Sequence, residues 1–156
     1  MNRREPAIRR LLKSSRGTNL LETALVLPLL LLLTFSIIEF GAMFYAYLAL
    51  ENGVSQATRY GITGATSGSL SRQDSIMAAM RDATPTLTIA DNAFTFNYLP
   101  QGGTTWLAGP GGPGDVEKVT VDYTWDFMTP LIRPFFTNGQ LHLLVSSSMK
   151  NEGRFN

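Results

Sequence analysis

Residues 16–50 read RGTNLLETALVLPLLLLLTFSIIEFGAMFYAYLAL. A carboxylate, Glu22, stands at the mouth of a run that carries no further charge until Glu39. The sixteen residues between them, 23–38, are mostly Leu, Ile, Phe and Val. With Leu20 and Leu21 in front and residues 40–50 behind, the run exceeds the roughly 20 residues a helix needs to cross a bilayer. Pro28 interrupts it but does not forbid insertion. A carboxylate at hydrocarbon depth is costly and generally has a partner. Gly17 lies five positions before Glu22, and cutting after it would create an amine at Thr18. Such an amine, with a pKa of about 8, is mostly cationic at neutral pH. Thr18 and Glu22 share a helix face, so Glu22 can neutralise that amine or a neighbouring subunit's. The simpler reading is a carboxylate resting at headgroup level without a partner.

The net charge of +1 hides an asymmetry. Arg3, Arg4, Arg9, Arg10, Lys13 and Arg16 face Glu5 alone in the first seventeen residues, while the rest of the chain carries −4. The positive-inside rule puts the basic end in the cytoplasm. The acidic remainder argues against nucleic-acid binding, which needs a basic surface. A removable secretory signal is the competing reading, but such an apolar core spans about 7–15 residues and ends in small residues. Here it continues into Phe40, Met43, Phe44 and Tyr45. The expected division is a basic cytoplasmic leader at 1–17, a transmembrane helix at 18–50 and an extracytoplasmic domain at 51–156. With no cysteines, that domain relies on its core or its neighbours rather than on disulfides.

Helical periodicity continues beyond the apolar run. Ala42, Ala46, Ala49, Gly53, Ala57, Gly61 and Gly64 recur at steps of three or four and line one face. Small residues in such a seam let another helix or a sheet approach closely; alanine's helix propensity alone is the blander account. After a break at 64–69, Ser71 and Asp74 form a helix start. Ile76, Met77, Met80 and Ala83 give that helix an apolar face, closed by Pro85.

The period then switches to two, around Phe94–Tyr98, Val119–Phe127 and Leu141–Lys150. The expected fold is α+β: a long N-terminal transmembrane helix continuing into a small domain with a second helix and a three-stranded antiparallel sheet. Residues 100–114 form a long Gly/Pro-rich loop carrying Trp106 and Leu107, a candidate partner-binding loop. Residues 129–136 are compact and apolar, suited to a turn of helix.

Catalysis finds little support. There is no cysteine nucleophile or thiolate ligand, and the single histidine, His142, sits in an expected strand as a surface or edge residue. Asp122 and Asp126 share a strand face, but no second set of ligands accompanies them, so no metal or cofactor is expected. Glu39 lies about 26 Å beyond Glu22 along a helix. It is intramembrane if Tyr45 and Tyr47 mark the outer aromatic belt, and interfacial if the helix exits near residue 39.

Together these elements resemble the TadE-like proteins of tight-adherence (Tad, or Flp) pilus systems. Gly17 to Glu22 matches the prepilin-peptidase pattern of glycine, four residues and glutamate. Glu39-Phe40-Gly41 is similar to the family's E-F-G element, and Ala57-Thr58-Arg59-Tyr60-Gly61 to its following helix. The Tyr123 strand, Thr129-Pro130-Leu131 and Met149-Lys150-Asn151-Glu152 resemble its C-terminal pattern. Thr18 and Thr23 depart from the aromatic and tyrosine that many type IV and Flp pilins carry there. The resemblance implies a non-enzymatic, single-pass pseudopilin of the bacterial inner membrane. It also implies cutting after Gly17 by a prepilin peptidase, with Glu22, Glu39 and Gly41 serving assembly. Its partners would be the membrane, that peptidase and other Tad pilus-assembly subunits, with no small-molecule substrate. The alternative is a membrane-tethered extracytoplasmic binding module unrelated to pili.

Overall fold

The computed structural model describes residues 15–155. The basic leader of residues 1–17 lies almost wholly outside the described residues. One uninterrupted helix, α1 (Ser15–Gly61), runs for 47 residues, about 70 Å. Pro28 sits inside it. The hydroxyls of Thr23, Thr34 and Ser36 donate back to the carbonyls of Asn19, Leu30 and Leu32, at 2.7–2.9 Å, so these polar groups are satisfied within the helix.

The helix has two regimes. No residue of 17–38 is buried. From Glu39 onward, Met43, Ala46, Leu50, Val54 and Ala57 are buried at steps of three and four. A short turn at 62–64 ends α1, and Gly64 adopts φ +70 where the Phe155 ring packs against it. A side chain there would meet both a left-handed backbone and an aromatic ring.

The second helix, α2 (Arg72–Ala83), begins at Ser71, whose Oγ accepts from Asp74 N–H at 3.1 Å. Its Ile76 and Met80 are buried against α1 and the sheet. The strands are β1 (Phe94–Leu99), β2 (Leu107–Ala108), β3 (Val116–Asp126) and β4 (Gln140–Lys150), all antiparallel, in the order β2-β1-β3-β4. Val119, Val121, Leu143 and Val145 face the helices and complete the core.

The expected three-stranded sheet is therefore corrected to four strands. The addition is β2, within the Gly/Pro-rich loop. Tyr98 pairs with Leu107 and Asn97 with Ala108, and Gly109 N–H donates to the Phe96 carbonyl at 2.9 Å. Two residues cannot display a period of two, so the strand is defined by its partner rather than by its own pattern.

β3 runs opposite to α1. Glu117 lies beside Gly61, and the Phe127 ring, just past β3, lies 6.0 Å from that of Phe40. The two paths agree in length: twenty-one helical steps cover about 32 Å and ten strand steps about 33 Å. The domain thus has two poles. One holds Glu39, Phe40 and residues 127–139, next to the exposed part of α1. The other holds Gly61, Arg72, residues 110–117 and the C-terminal tail.

Candidate functional site

The apolar stretch itself is the first element of the site. Among the described residues, one helix is long and apolar enough to cross a membrane, with mean hydropathy 2.3 over its most apolar window and none of that window buried. Residues 17–38 span about 33 Å, close to the roughly 30 Å of a bilayer's hydrocarbon core. Gly17, Thr18 and Glu22 are exposed on its first turns. A Cβ added at Gly17 or at Gly41 would meet nothing within 4 Å among the described residues. A glycine inside a helix costs about 1 kcal/mol relative to alanine, and neither glycine relieves a close approach among the described residues.

Glu39 ends the exposed stretch, 3% exposed itself. Met128 N–H donates to its Oε1 at 3.0 Å, while Thr129 N–H and Thr129 Oγ donate to Oε2 at 3.1 and 2.7 Å. Three donors converge on one carboxylate, the arrangement that stabilises a buried anion. Glu39 thus has its partner in its own chain, ninety residues away. Phe40 extends the contact, with its ring 6.4 Å from that of Phe136.

The small-residue seam is covered from within the chain. Ala46, Gly53, Ala57 and Gly61 are buried, while Ala42 and Ala49 are half-buried. A Cβ at Gly53 would lie 2.5 Å from Thr84 Cγ2 and 3.4 Å from Met80 Cγ. At Gly61 it would lie 2.5 Å from Glu117 Oε2 and 2.9 Å from Ile76 Cδ1. The close approach that the seam allows is made by α2 and by Glu117 of β3.

A polar cluster closes the far pole. Arg72 Nη2 donates to the Gly61 carbonyl (2.8 Å), Glu117 Oε2 (3.0 Å) and Asn151 Oδ1 (3.2 Å), and Nη1 to the Gly111 carbonyl (2.6 Å). Asn151 Nδ2 donates to the carbonyls of Pro110 and Gly112. The Arg72 guanidinium also lies 4.5 Å from the Phe155 ring centre. One arginine thereby ties together the end of α1, the start of α2, β3, the glycine loop and the tail. Glu117 is fully buried, and its Oε1 has no hydrogen-bond partner among the described residues. Burial pushes its carboxyl up to about 7, against the pull of Arg72. Sequence reasoning missed this cluster. The available signal was the alternation itself, which places Glu117 on the same face as Val119 and Val121.

Trp106 and Leu107 are half-exposed on the sheet's outermost strand region, 44% and 45%. Lys118 Nζ lies 5.7 Å from the Trp106 ring centre. His142 and Asp122, both exposed, face each other at 2.9 Å across β3 and β4. Among the described residues, no group of three or more His, Cys, Asp or Glu side chains could hold a metal ion.

The family model described as TadE-like protein matches residues 17–59. That segment is the exposed, membrane-length part of α1 together with most of its docked part. The sheet, Thr129-Pro130-Leu131 and the tail around Asn151 lie outside the match. No curated protein and no solved structure matches the chain. The chain is thus similar to TadE-like proteins over this segment, which carries one apolar helix of membrane-spanning length.

Proposed function

We propose that this chain is a non-enzymatic, pseudopilin-like membrane subunit that assists assembly of a tight-adherence (Flp type IVb) pilus. The observation that carries this reading is the segment 17–59. It is similar to TadE-like proteins, and its helix is half free over a bilayer's thickness and half docked on the domain. In this reading residues 1–17 are a cytoplasmic leader and the domain lies outside the inner membrane. The span is drawn shorter than 18–50, as residues 18–38, because the helix from Glu39 to Leu50 packs on its own domain.

Processing after Gly17 by a prepilin peptidase belongs to the same proposal. Gly17 is exposed and its Cβ position is open, so the absence of a side chain serves no packing need among the described residues. A peptidase that requires a small residue before the cut accounts for it. Glu22 then meets the new amine of Thr18, or that of an adjacent subunit, at the lipid boundary. Its partners are other Tad assembly subunits and pseudopilins.

The test is Glu22→Gln in a host that makes the pilus. Membrane insertion should be unchanged, because the apolar run is intact, while pilus number and co-purification of partner subunits should fall. Normal piliation with Glu22→Gln would overturn the assembly role of this carboxylate. The exposure of Trp106 and Leu107 favours the second reading, a tethered binding module. It predicts that Trp106→Ala abolishes partner capture while Glu22→Gln has no effect.

A further inference from the structure

The membrane-side pole carries a cluster that neither the core nor the proposed role of α1 uses. Met128, Leu131 and Phe135 are 74%, 49% and 74% exposed. They belong to the connection between β3 and β4, residues 127–139, which contains Arg133 and no acidic residue. The rest of the domain is net acidic, so this segment stands apart in both charge and hydropathy. Buried Ile132 and the bond from Arg133 Nε to the Phe127 carbonyl, 2.6 Å, hold the segment to the domain. Phe135 lies in a 3-10 turn, Arg133–Phe135.

Its position along α1 is fixed by Glu39. Met128 and Thr129 donate directly to that carboxylate, which sits one residue past the exposed membrane-length stretch 17–38. Met128 is therefore held beside the end of the span, and Leu131 and Phe135 follow it in the same short connection. Apolar side chains beside an arginine suit the headgroup boundary, where rings and methyl groups enter the acyl region and a guanidinium reaches phosphate.

We propose that the 128–136 segment is a second membrane contact. Met128, Leu131 and Phe135 insert into the outer boundary of the bilayer, so that the domain rests on the membrane instead of standing clear of it. This rests on the reading of residues 18–38 as a membrane span. The occupant is lipid rather than a protein partner, because the connection is bonded to Glu39, the residue that directly follows the exposed apolar stretch read as the span.

The chain has no cysteine, so single reporters are unambiguous. Full-length protein carrying Leu30→Cys, Leu70→Cys or Phe135→Cys is spin-labelled and reconstituted into phosphatidylglycerol-containing phosphatidylcholine vesicles. Collisions with oxygen and with a polar nickel complex are then compared. Leu70 is exposed at the opposite pole and marks the aqueous limit; Leu30 marks the span. The label replacing Phe135 should favour oxygen and lose nickel accessibility relative to that replacing Leu70. Nickel accessibility equal to the Leu70 label, with the Leu30 label in lipid, overturns the second contact and leaves the span intact. Shielding from both agents marks a protein contact and also overturns it. A water-exposed Leu30 label removes the span itself, and the proposal with it.

Discussion

At the residue scale, Glu39 and Glu117 are buried carboxylates at opposite poles of the domain. Glu39 stood out because it ends an uncharged run, but its partners Met128 and Thr129 lie 89 and 90 residues away, and contacts at that separation leave no trace in local pattern. Three donors converge on it, so Glu39→Gln puts an amide donor against donors that need an acceptor. We expect a loss of about 1–3 kcal/mol in domain stability. Thr129→Val removes one bond and leaves both backbone donors in use, so its loss should be smaller, about 1 kcal/mol. Denaturant unfolding of the full chain in detergent checks the ranking; equal or reversed losses would contradict it. Glu117 behaves differently. Its ordinary value is 4.5 and burial raises it to about 7. Between these values the folded chain holds a proton that the unfolded chain releases, so stability falls as pH rises through that window and is level above it. The drop is on the order of 3 kcal/mol. Glu117→Gln should flatten the profile between about pH 4.5 and about pH 7. An unchanged slope in that variant would assign the pH dependence to another group.

At the element scale, the long helix, its seam and the period of two in β1, β3 and β4 were legible because each repeats over several turns or pleats. β2 was not, because two residues carry no period. The seam told of close approach but not of what approaches: α2 and Glu117 are identified by their distances to Gly53 and Gly61. That identity sharpens the mutational test. Gly53→Leu gains several tenths of a kcal/mol in helix propensity yet drives its side chain into Thr84 and Met80. Overpacking of this kind costs about 1–3 kcal/mol, so net destabilisation is expected. Gly41→Leu enters open space and should leave domain stability unchanged or slightly raised. Thermal unfolding of both variants side by side decides the matter. If Gly53→Leu is as stable as Gly41→Leu, the α1–α2 contact is not tight.

At the scale of the whole molecule, α1 is shared between two solvents: about 33 Å of free apolar helix, then a docked stretch clamped at Glu39 and at Gly61. The free part was legible from composition. The clamps were not, since each joins elements remote in sequence. The basic first seventeen residues and acidic remainder predict that an export-dependent reporter fused after Asn156 is active. Activity there from a cytoplasm-dependent reporter would reverse the topology. The central claim, a pseudopilin-like subunit cut at Gly17, is tested most directly by the mature N-terminus. The full chain is co-expressed with a prepilin peptidase, purified from membranes, and subjected to N-terminal sequencing and intact-mass measurement. The account predicts a chain beginning at Thr18, with Gly17→Leu blocking the cut and leaving the domain folded, because that position is open. Retention of residues 1–17 on assembly-competent protein would contradict it.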